Sequence, residues 1–240
     1  MKCCLSSGTL VTLELLLLAV CASYGSAINQ LTPREHADGW KLLFDGSTIQ
    51  GWHSFKQSQA PSKGWIVEDG WLHCQGSGGG DLLSHAEFDE FDLRWEWKIE
   101  AAGNSGVKYF VPEEGNSAIG HEYQMLDDER NPDAKLADGK RITASFYDVL
   151  RPTAKIPIKP IGEINESRIL VKGDHVEHWL NGMKVLEYQC GSPALKSAVA
   201  ESKFKGHPRF GDRLKGHILL QDHHSQVWFR NLKIRDLSGK

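Results

Sequence analysis

Two polar side chains that could do chemistry lie in the stretch from residue 103 to residue 127. Residues 121–126 predict a strand, and because side chains alternate between the two faces of a strand, Glu122 and Gln124 share one face. Two such side chains would be costly on a face packed into a core. The pattern therefore indicates a polar groove, in which Glu122 could act as an acid or a base and Gln124 could hold hydroxyl groups.

Six further polar side chains could complete this groove. They are Asn104, Lys108, Tyr147, Gln221, His223 and Arg230. Asn104 could donate from its amide, or it could belong only to a tight turn that needs Asn and Gly. His223 follows Gln221 by two positions, so it would point the same way if that strand continued. Gln221 could instead satisfy buried backbone groups, and Arg230 could form a structural salt bridge.

A metal site is a weaker expectation. Asp127 ends the predicted strand, where it could orient a partner or bind a divalent cation such as Ca²⁺. The acidic run 127–129 could equally be a solvated loop. No Cys-x-x-Cys motif and no His/Cys group with the spacing of zinc ligands is present. The sequence therefore establishes no cofactor.

Composition limits the class of partner. The 240 residues carry 28 basic and 31 acidic side chains, and no Lys/Arg run argues for nucleic acid. Eight Trp and 24 Gly are typical of a β protein with many turns. An exposed Trp could stack on a sugar, but most of them are expected in the core.

The first 27 residues predict a signal peptide. Lys2 supplies the positive charge, residues 10–20 are mostly apolar, and small residues end at Ala27, the expected cleavage site. The apolar run is too short and too interrupted for a membrane span. We therefore expect a secreted or periplasmic protein. Lipid attachment at Cys21 is an alternative, which Val20 disfavours because valine is a poor residue at that place.

Cys74 and Cys190 remain after the predicted leader is removed. In an exported protein they could form a disulfide. Nothing in the sequence places them close together, so two separate buried thiols are the alternative. The oligomeric state is left open.

The remaining residues, 28–240, predict one all-β domain. Residues 88–100 alternate apolar and charged side chains, which is typical of a half-buried antiparallel strand. Asp69-Gly70 and Asn181-Gly182 are hairpin turn signals. Residues 193–204 form the one good helix candidate. About a dozen short strands with one short helix favour a β-sandwich or jelly roll of two antiparallel sheets, and a further strand at residues 144–149 could bring Tyr147 to the groove.

Several phrases together resemble the 3-keto-disaccharide hydrolase family, formerly a domain of unknown function (DUF1080). They are Leu42–Gly46 with Gly51-Trp52, Trp65–Leu72, Gly103–Val107, Gly120–Asp127, Leu180–Gly182, Gly216–Gln221 and Val227–Ile234. The resemblance implies a concanavalin A-like jelly roll and cleavage of glycosides oxidised at C3 of the sugar. Two phrases depart from the family pattern: Ile164-Asn165 replaces a Trp-Asn pair, and residues 142–147 lack the usual glycine.

The chemistry that the resemblance implies is elimination followed by hydration. A 3-keto group acidifies the C2 proton, a base removes it, the enolate expels the C1 substituent, and water adds back. Glu122 is the expected acid or base and His223 the second one. Lys108 or Arg230 could stabilise the enolate oxygen. Gln124, Gln221, Asn104 and Tyr147 could bind the glycoside.

Three alternatives stay open at this point. Direct hydrolysis would need paired carboxylates, but Glu122 and Asp127 are five residues apart on one strand, roughly 17 Å at about 3.3 Å per residue. Asp148 or Asp222 could supply the second carboxylate from elsewhere. The same groove could also belong to a non-catalytic, lectin-like carbohydrate-binding module, or to a structural domain without activity.

Overall fold

The computed structural model describes Met1 and residues 27–153 and 155–239. The predicted leader, with Cys21, falls almost entirely outside these residues, so the signal peptide remains a prediction. Among the residues that are described, no helix is both long and apolar enough to cross a bilayer.

Thirteen strands and two helices make up the described chain. The strands are β1 Trp40–Leu42, β2 Trp52–His53, β3 Trp65–Glu68, β4 Trp71–Gln75, β5 Leu82–Phe88, β6 Phe91–Ile99, β7 Asn104–Val111, β8 His121–Leu126, β9 Asn165–Lys172, β10 His175–Leu180, β11 Met183–Gln189, β12 Gly216–Leu220 and β13 Gln226–Asp236. The helices are α1 Pro33–Ala37 and α2 Pro193–Ala200, and two 3-10 turns span Pro132–Lys135 and Ala137–Gly139.

The strands form two antiparallel sheets, which confirms the predicted jelly-roll sandwich. The larger sheet has the order β11-β10-β9-β6-β13-β4-β3, with β1 also paired to β13. The smaller sheet has the order β2-β5-β12-β7-β8. Both predicted hairpin turns form with left-handed backbone at their central residues: φ is 49° and 75° at Asp69 and Gly70, and 47° and 80° at Asn181 and Gly182, as type I′ turns require.

Two sequence-based element boundaries differ from the structure. Helix α2 ends at Ala200 instead of residue 204, and the Ser202 hydroxyl then donates to the Val199 carbonyl (2.8 Å) in the turn that follows. Residues 144–149 form a turn and not a strand. Within them only Phe146 forms isolated β-bridges, one to Tyr123 and one to Leu150. Left-handed φ angles of 64° at Ala144 and 63° at Asp148 bend the chain there.

The core lies between the sheets and is rich in aromatic residues. Six of the eight tryptophans are buried, as most were expected to be; they are Trp40, Trp52, Trp65, Trp71, Trp95 and Trp97. Cys74 and Cys190 are both free and buried. The structure therefore favours the alternative of two separate thiols over a disulfide.

A chain of hydrogen bonds crosses the core behind β8. The Gly211 amide donates to His121 Nε2 (3.2 Å), so His121 Nδ1 donates to the Tyr188 hydroxyl (2.8 Å). Tyr188 contacts the Tyr109 hydroxyl (2.6 Å), which contacts His178 Nε2 (2.8 Å). Burial lowers the pKa of His121 to about 3 and that of His178 to about 4, so both rings are neutral.

Candidate active site

A cavity of about 310 Å³ lies over the outer face of the smaller sheet. It is lined by Asn104, Lys108, Ile119, Gly120, Glu122, Tyr147, Lys203, Phe204, His207, Gln221 and His223. Six of the predicted site residues are thus brought together, although they come from four separate segments. A second cavity, of about 540 Å³, shares Ile119, Gly120 and His207 with the first and has a more apolar wall.

Strand pairing places Glu122 in the floor of the smaller cavity. On β8, Glu122 lies opposite Lys108 of β7, and Gln124 lies opposite Gly106. The Glu122 carboxylate packs over Gly106: a Cβ at position 106 would lie 2.8 Å from Glu122 Oε1 and 3.1 Å from its Cγ. The missing side chain of Gly106 therefore makes the space that the carboxylate occupies.

Gln124 lies beneath the cavity, with no exposed surface. With its amide flipped, Gln124 donates from its nitrogen to the Ser105 carbonyl oxygen (3.0 Å) and to Glu122 Oε1 (3.3 Å). Its oxygen then lies 3.2 Å from Asn104 Oδ1, so the Asn104 amide must be turned as well for its nitrogen to donate to Gln124. Gln124 therefore connects Glu122 to Asn104. It fits the role of a residue that positions Glu122 better than the predicted role of holding substrate hydroxyls.

The surroundings of Glu122 favour its protonated form. Its exposure is 5%. Burial makes the largest contribution and raises the pKa of Glu122, with a further rise from Asp81, while Lys108, Lys203 and His223 oppose it. The net result is a raised pKa. A carboxyl group with a raised pKa is suited to giving and taking a proton near neutral pH.

Lys203 is a cavity residue that sequence reasoning missed. It lies in the turn after α2, where its backbone amide donates to Asp148 Oδ2 (2.7 Å). Its Nζ lies 4.1 Å from the centre of the Tyr147 ring. Burial lowers the pKa of Lys203, and the charges of Glu122 and Asp148 oppose that shift. No local pattern marks this lysine, because its neighbours are far away in the sequence.

Tyr147 is held in place by a carboxylate and an arginine. Its hydroxyl donates to Asp133 Oδ2 (2.8 Å), and Arg141 Nη1 donates to Asp133 Oδ1 (2.8 Å). Arg141 Nε also donates to Asp148 Oδ1 (2.6 Å). Burial and the hydrogen bond to Asp133 raise the pKa of Tyr147. The tyrosine is therefore neutral, and its oxygen can still accept a hydrogen bond from a ligand.

Gln221 and His223 enter the cavity from the chain between β12 and β13. The strand ends at Leu220, so His223 reaches the cavity from a loop and not by continuing the strand. Gln221 Oε1 is buried, and no described residue offers it a hydrogen bond. A buried acceptor without a partner is unusual in a folded protein, so this oxygen is available to a hydroxyl group of a ligand.

The prediction that Arg230 completes the groove around Glu122 is wrong, because its strand joins the other sheet. Strand β13 belongs to the larger sheet, where it pairs with β4 and β6. Arg230 Nε donates to Glu96 Oε2 (2.7 Å), and the guanidinium lies 4.4 Å from the centre of a Trp71 ring. Arg230 thus has the structural role that the sequence left open, and it does not line the cavity.

Asp127 has a structural role as well. Its Oδ2 accepts from the Ala102 amide (2.8 Å), its Oδ1 accepts from the Glu129 amide (3.2 Å), and Arg130 Nη1 contacts both oxygens. Burial alone would raise the pKa of Asp127, but these donors outweigh it and lower the pKa. With donors on both oxygens, the carboxylate lacks the free lone pairs expected of a cation site, and it lies outside the cavity.

The two carboxylates considered as partners for Glu122 are also engaged elsewhere. Asp148 accepts from Arg141 and from the Lys203 amide. Asp222 accepts from the amides of Gly80 (3.0 Å) and His224 (3.1 Å). The carboxylate that does influence Glu122 is Asp81, whose own pKa is raised by burial. Asp81 could not be identified from the sequence, because it follows a glycine run with no sign of a site.

The chain is similar to known proteins over most of its length. Residues 39–235 match the profile of the 3-keto-alpha-glucoside-1,2-lyase-like domain. The whole sequence is 34% identical to a 3-keto-disaccharide hydrolase of Bacteroides thetaiotaomicron, over 99% of this chain and 97% of that protein.

Two solved structures from Parabacteroides distasonis, both provisionally named glycosyl hydrolases, have the same fold. The first has a TM-score of 0.80 at 36% identity and covers 88% of this chain and 100% of its own. The second has a TM-score of 0.66 at 25% identity and covers 82% of this chain and 99% of its own.

Proposed function

The chain belongs to the family of 3-keto-alpha-glucoside-1,2-lyase-like domains, and from this premise we propose that the cavity around Glu122 cleaves glycosides oxidised at C3 of the sugar. One observation carries the proposal: a buried carboxyl group with a raised pKa faces two lysines in a cavity. Among the described residues lining that cavity there is no tryptophan. A tryptophan-lined platform for stacking on sugars, as a lectin-like module could present, is therefore not supported.

Each step of the reaction has a candidate residue. In the first half, Glu122 takes the C2 proton, and the electron pair of the C2–H bond forms the enolate of the 3-keto group. The positive charges of Lys108 and Lys203 stabilise the enolate oxygen. The electron pair then returns to form a C1–C2 double bond, the C1–O bond breaks, and the leaving oxygen takes a proton from His223.

In the second half, the same two groups transfer protons in the opposite direction. Water adds to C1 and loses a proton to His223, while Glu122 returns its proton to C2. The sum is hydrolysis of the glycosidic bond without any change in oxidation state. A carboxyl group that gives up and regains one proton in each turnover works best with a pKa near the operating pH, and the raised pKa of Glu122 supports that role.

The larger neighbouring cavity offers room for the leaving group. It shares the wall formed by Ile119, Gly120 and His207 with the reaction cavity. Phe110, Phe210 and Leu214 add apolar surface there. We therefore place the oxidised sugar over Glu122 and the departing group in the larger cavity.

A turnover assay on a 3-keto-glucoside tests the proposal. Glu122→Gln keeps the size of the side chain but removes its proton-transfer capacity, so kcat should fall by about 10² or more. Arg230→Gln, on the other sheet, is the matched control and should retain activity. Full activity in Glu122→Gln would overturn the assignment, and binding of the wild-type protein to sugars without turnover would favour a binding module.

Export is a separate proposal. The predicted leader is supported by the charge and apolar pattern of the first 27 residues. Expression in a bacterial host followed by N-terminal sequencing of the extracellular or periplasmic fraction should give a chain that begins at Ile28. An intact N-terminus in the cytoplasm would contradict export.

A further inference from the structure

A second polar cluster lies on the outer face of the smaller sheet, at the opposite end from Glu122. It contains His53 of β2, His217 of β12 and Glu113, which follows β7. On β12, Leu219 stands between His217 and the cavity residue Gln221. Leu219 belongs to a small apolar cluster with Leu83 and Val111. The polar cluster is thus separated from the cavity by buried apolar side chains.

Three side chains converge there on one point. His53 Nδ1 lies 3.7 Å from Glu113 Oε1, and His217 Nε2 lies 3.9 Å from Glu113 Oε2. One potential ligand atom from each residue lies within 4.8 Å of the other two. These separations are too long for hydrogen bonds. The 3.9 Å between His217 Nε2 and Glu113 Oε2 is about half an ångström longer than the roughly 3.3–3.4 Å between ligands of a tetrahedral zinc ion with bonds of about 2.0–2.1 Å.

Neighbouring backbone groups orient the three side chains. His217 Nδ1 lies 2.6 Å from the Ser84 carbonyl oxygen, so the neutral ring donates there and leaves the lone pair of Nε2 free toward the cluster. His53 Nδ1 makes the same kind of contact with the carbonyl oxygen of its neighbour Ser54 (2.9 Å), so this ring also donates from Nδ1 and keeps the free lone pair on Nε2, which is its ligand nitrogen. The Lys56 amide donates to Glu113 Oε1 (2.6 Å). Carbonyl oxygens behind histidine rings are typical outer partners of metal ligands.

We propose that His53, Glu113 and His217 form a binding site for a transition-metal ion of the zinc type. Two imidazoles and one carboxylate are a known set of three zinc ligands, and imidazole nitrogen favours Zn²⁺ over Ca²⁺. Both histidines are buried, with exposures of 4% and 8%. Glu87, whose Oε1 lies 3.6 Å from His217 Nε2, or a water molecule would complete the coordination.

A bound ion would join three parts of the smaller sheet. It would connect β2, β12 and the segment between β7 and β8, which contains Glu113 and ends with the cavity residues Ile119 and Gly120. The three ligands are far apart in the sequence, so no spacing motif announces the site. The ion would therefore stabilise one wall of the reaction cavity without touching the reacting atoms.

A second histidine–glutamate group provides the matched control. His175, Glu177 and Glu187 also lie close together on the hairpin β10–β11. There, however, Lys184 Nζ already bonds to Glu177 (3.2 Å) and Glu187 (2.6 Å), and His175 Nε2 contacts Glu177 at 3.2 Å. An internal cation and direct hydrogen bonds occupy this group, so it should bind no metal tightly.

Metal binding to the chain, freed of any histidine tag and of metal by chelation, tests the proposal. After dialysis against Zn²⁺, elemental analysis should find one ion per chain, and Co²⁺ in its place should give the visible absorption of a tetrahedral site. Glu113→Gln and His217→Gln should each weaken binding about tenfold or more. His175→Gln should bind as the wild-type protein does.

Three outcomes would overturn the site. They are wild-type protein without stoichiometric Zn²⁺, unchanged affinity in Glu113→Gln, and loss of binding in His175→Gln. Glu113 is partly exposed, so its substitution should leave the metal-free fold intact, and circular dichroism of the metal-free variant checks this. If His217→Gln fails to fold, the Glu113→Gln result alone decides.

Discussion

The carboxylate of Glu122 lies directly over the Cα of Gly106 on the neighbouring strand, where a Cβ would come within 2.8 Å of Oε1. The two residues are not cross-strand partners; Gly106 pairs with Gln124. A glycine is therefore needed at position 106 to leave room for the Glu122 carboxylate, and not to allow a turn. This contact makes the placement of Glu122 testable without changing Glu122 itself.

Gly106→Ala should displace the Glu122 side chain and lower kcat by about tenfold to a hundredfold, since misplacing a reacting group by about 1 Å can cost that much. The expected loss of unfolding free energy is about 1 kcal/mol, because the atom that must move most is the carboxylate end of a side chain, while the Tyr123 carbonyl oxygen, 3.2 Å from the added Cβ, must give by only a few tenths of an ångström. Steady-state kinetics and urea unfolding measure the two effects. Gly206→Ala is the matched control, since a Cβ there meets nothing within 4 Å; equal losses in both variants would refute the role of Gly106.

Lys203→Met should lower kcat/KM by about 10², since it removes one of two cations that face the developing enolate. It should also raise the pKa of Glu122 further, because Lys203 now lowers it. The acidic limb of the pH–rate profile should therefore move to higher pH. Lys205→Met removes a charge from an exposed position two residues further along the chain. It should change neither kcat/KM nor the acidic limb. An acidic limb that does not shift in Lys203→Met would show that the charge of Lys203 does not act on the pKa of Glu122.

The wild-type pH–rate profile should report the raised pKa of Glu122 directly. As the base, Glu122 must be ionised, so kcat/KM should rise with pH through that pKa and reach its plateau above it. Since burial raises the pKa from an ordinary value of 4.5, the midpoint of the acidic limb should lie above pH 4.5. Rates measured in one buffer series at constant ionic strength give the midpoint. A limb centred at or below 4.5 would contradict the buried environment.

Acid should unfold the protein through its two buried histidines. Their pKa values in the folded state, about 3 for His121 and about 4 for His178, lie below the ordinary 6.5. At these two sites the unfolded state therefore binds more protons, so they remove stability as the pH falls below 6.5. Buried Asp128, whose pKa burial raises to about 6, acts in the opposite sense. Each histidine should cost about 1.4 kcal/mol per pH unit well below 6.5. Urea unfolding between pH 7 and 4.5 measures the slope.

The share of each histidine can be separated. His178→Gln should reduce the pH dependence by one proton, whatever its effect on stability at neutral pH. His207→Gln, at an exposed position, should leave the slope unchanged. If the slope of His178→Gln equals that of the wild-type protein, the acid sensitivity arises from other groups.

The sequence predicted the sandwich and the cavity floor because both depend on local patterns. Alternation identifies the face of β8 that carries Glu122, and the two hairpin signals gave the observed turns. Arg230 was misplaced because alternation reveals which side chains share a face of one strand but not which sheet the strand joins. Lys203 and Asp81 were missed because only tertiary folding brings them to Glu122, and the same holds for the His53, Glu113 and His217 cluster.

The turn before Tyr147 forms without the glycine that the family pattern has there. Residues 142–147 lack it, and the sequence alone does not show whether this segment can still bring Tyr147 to the groove. In the structure, Ala144 adopts a left-handed φ of 64°, a conformation that glycine adopts more easily. The turn forms nonetheless, and Tyr147 lines the cavity. Backbone hydrogen bonds of Ala144 to Gln124 (2.8 Å) and of Tyr147 to Glu122 (3.0 Å) hold it there.

The two buried thiols have a practical consequence for labelling. Burial raises the pKa of Cys74 and of Cys190 to about 12, and maleimide reagents need an accessible thiolate. A cysteine introduced at the exposed Lys172, which ends β9 of the larger sheet, would then be the reactive thiol within residues 28–240. A fluorophore or a solid support attached there would sit on the sheet opposite the cavity and leave its mouth open to solution.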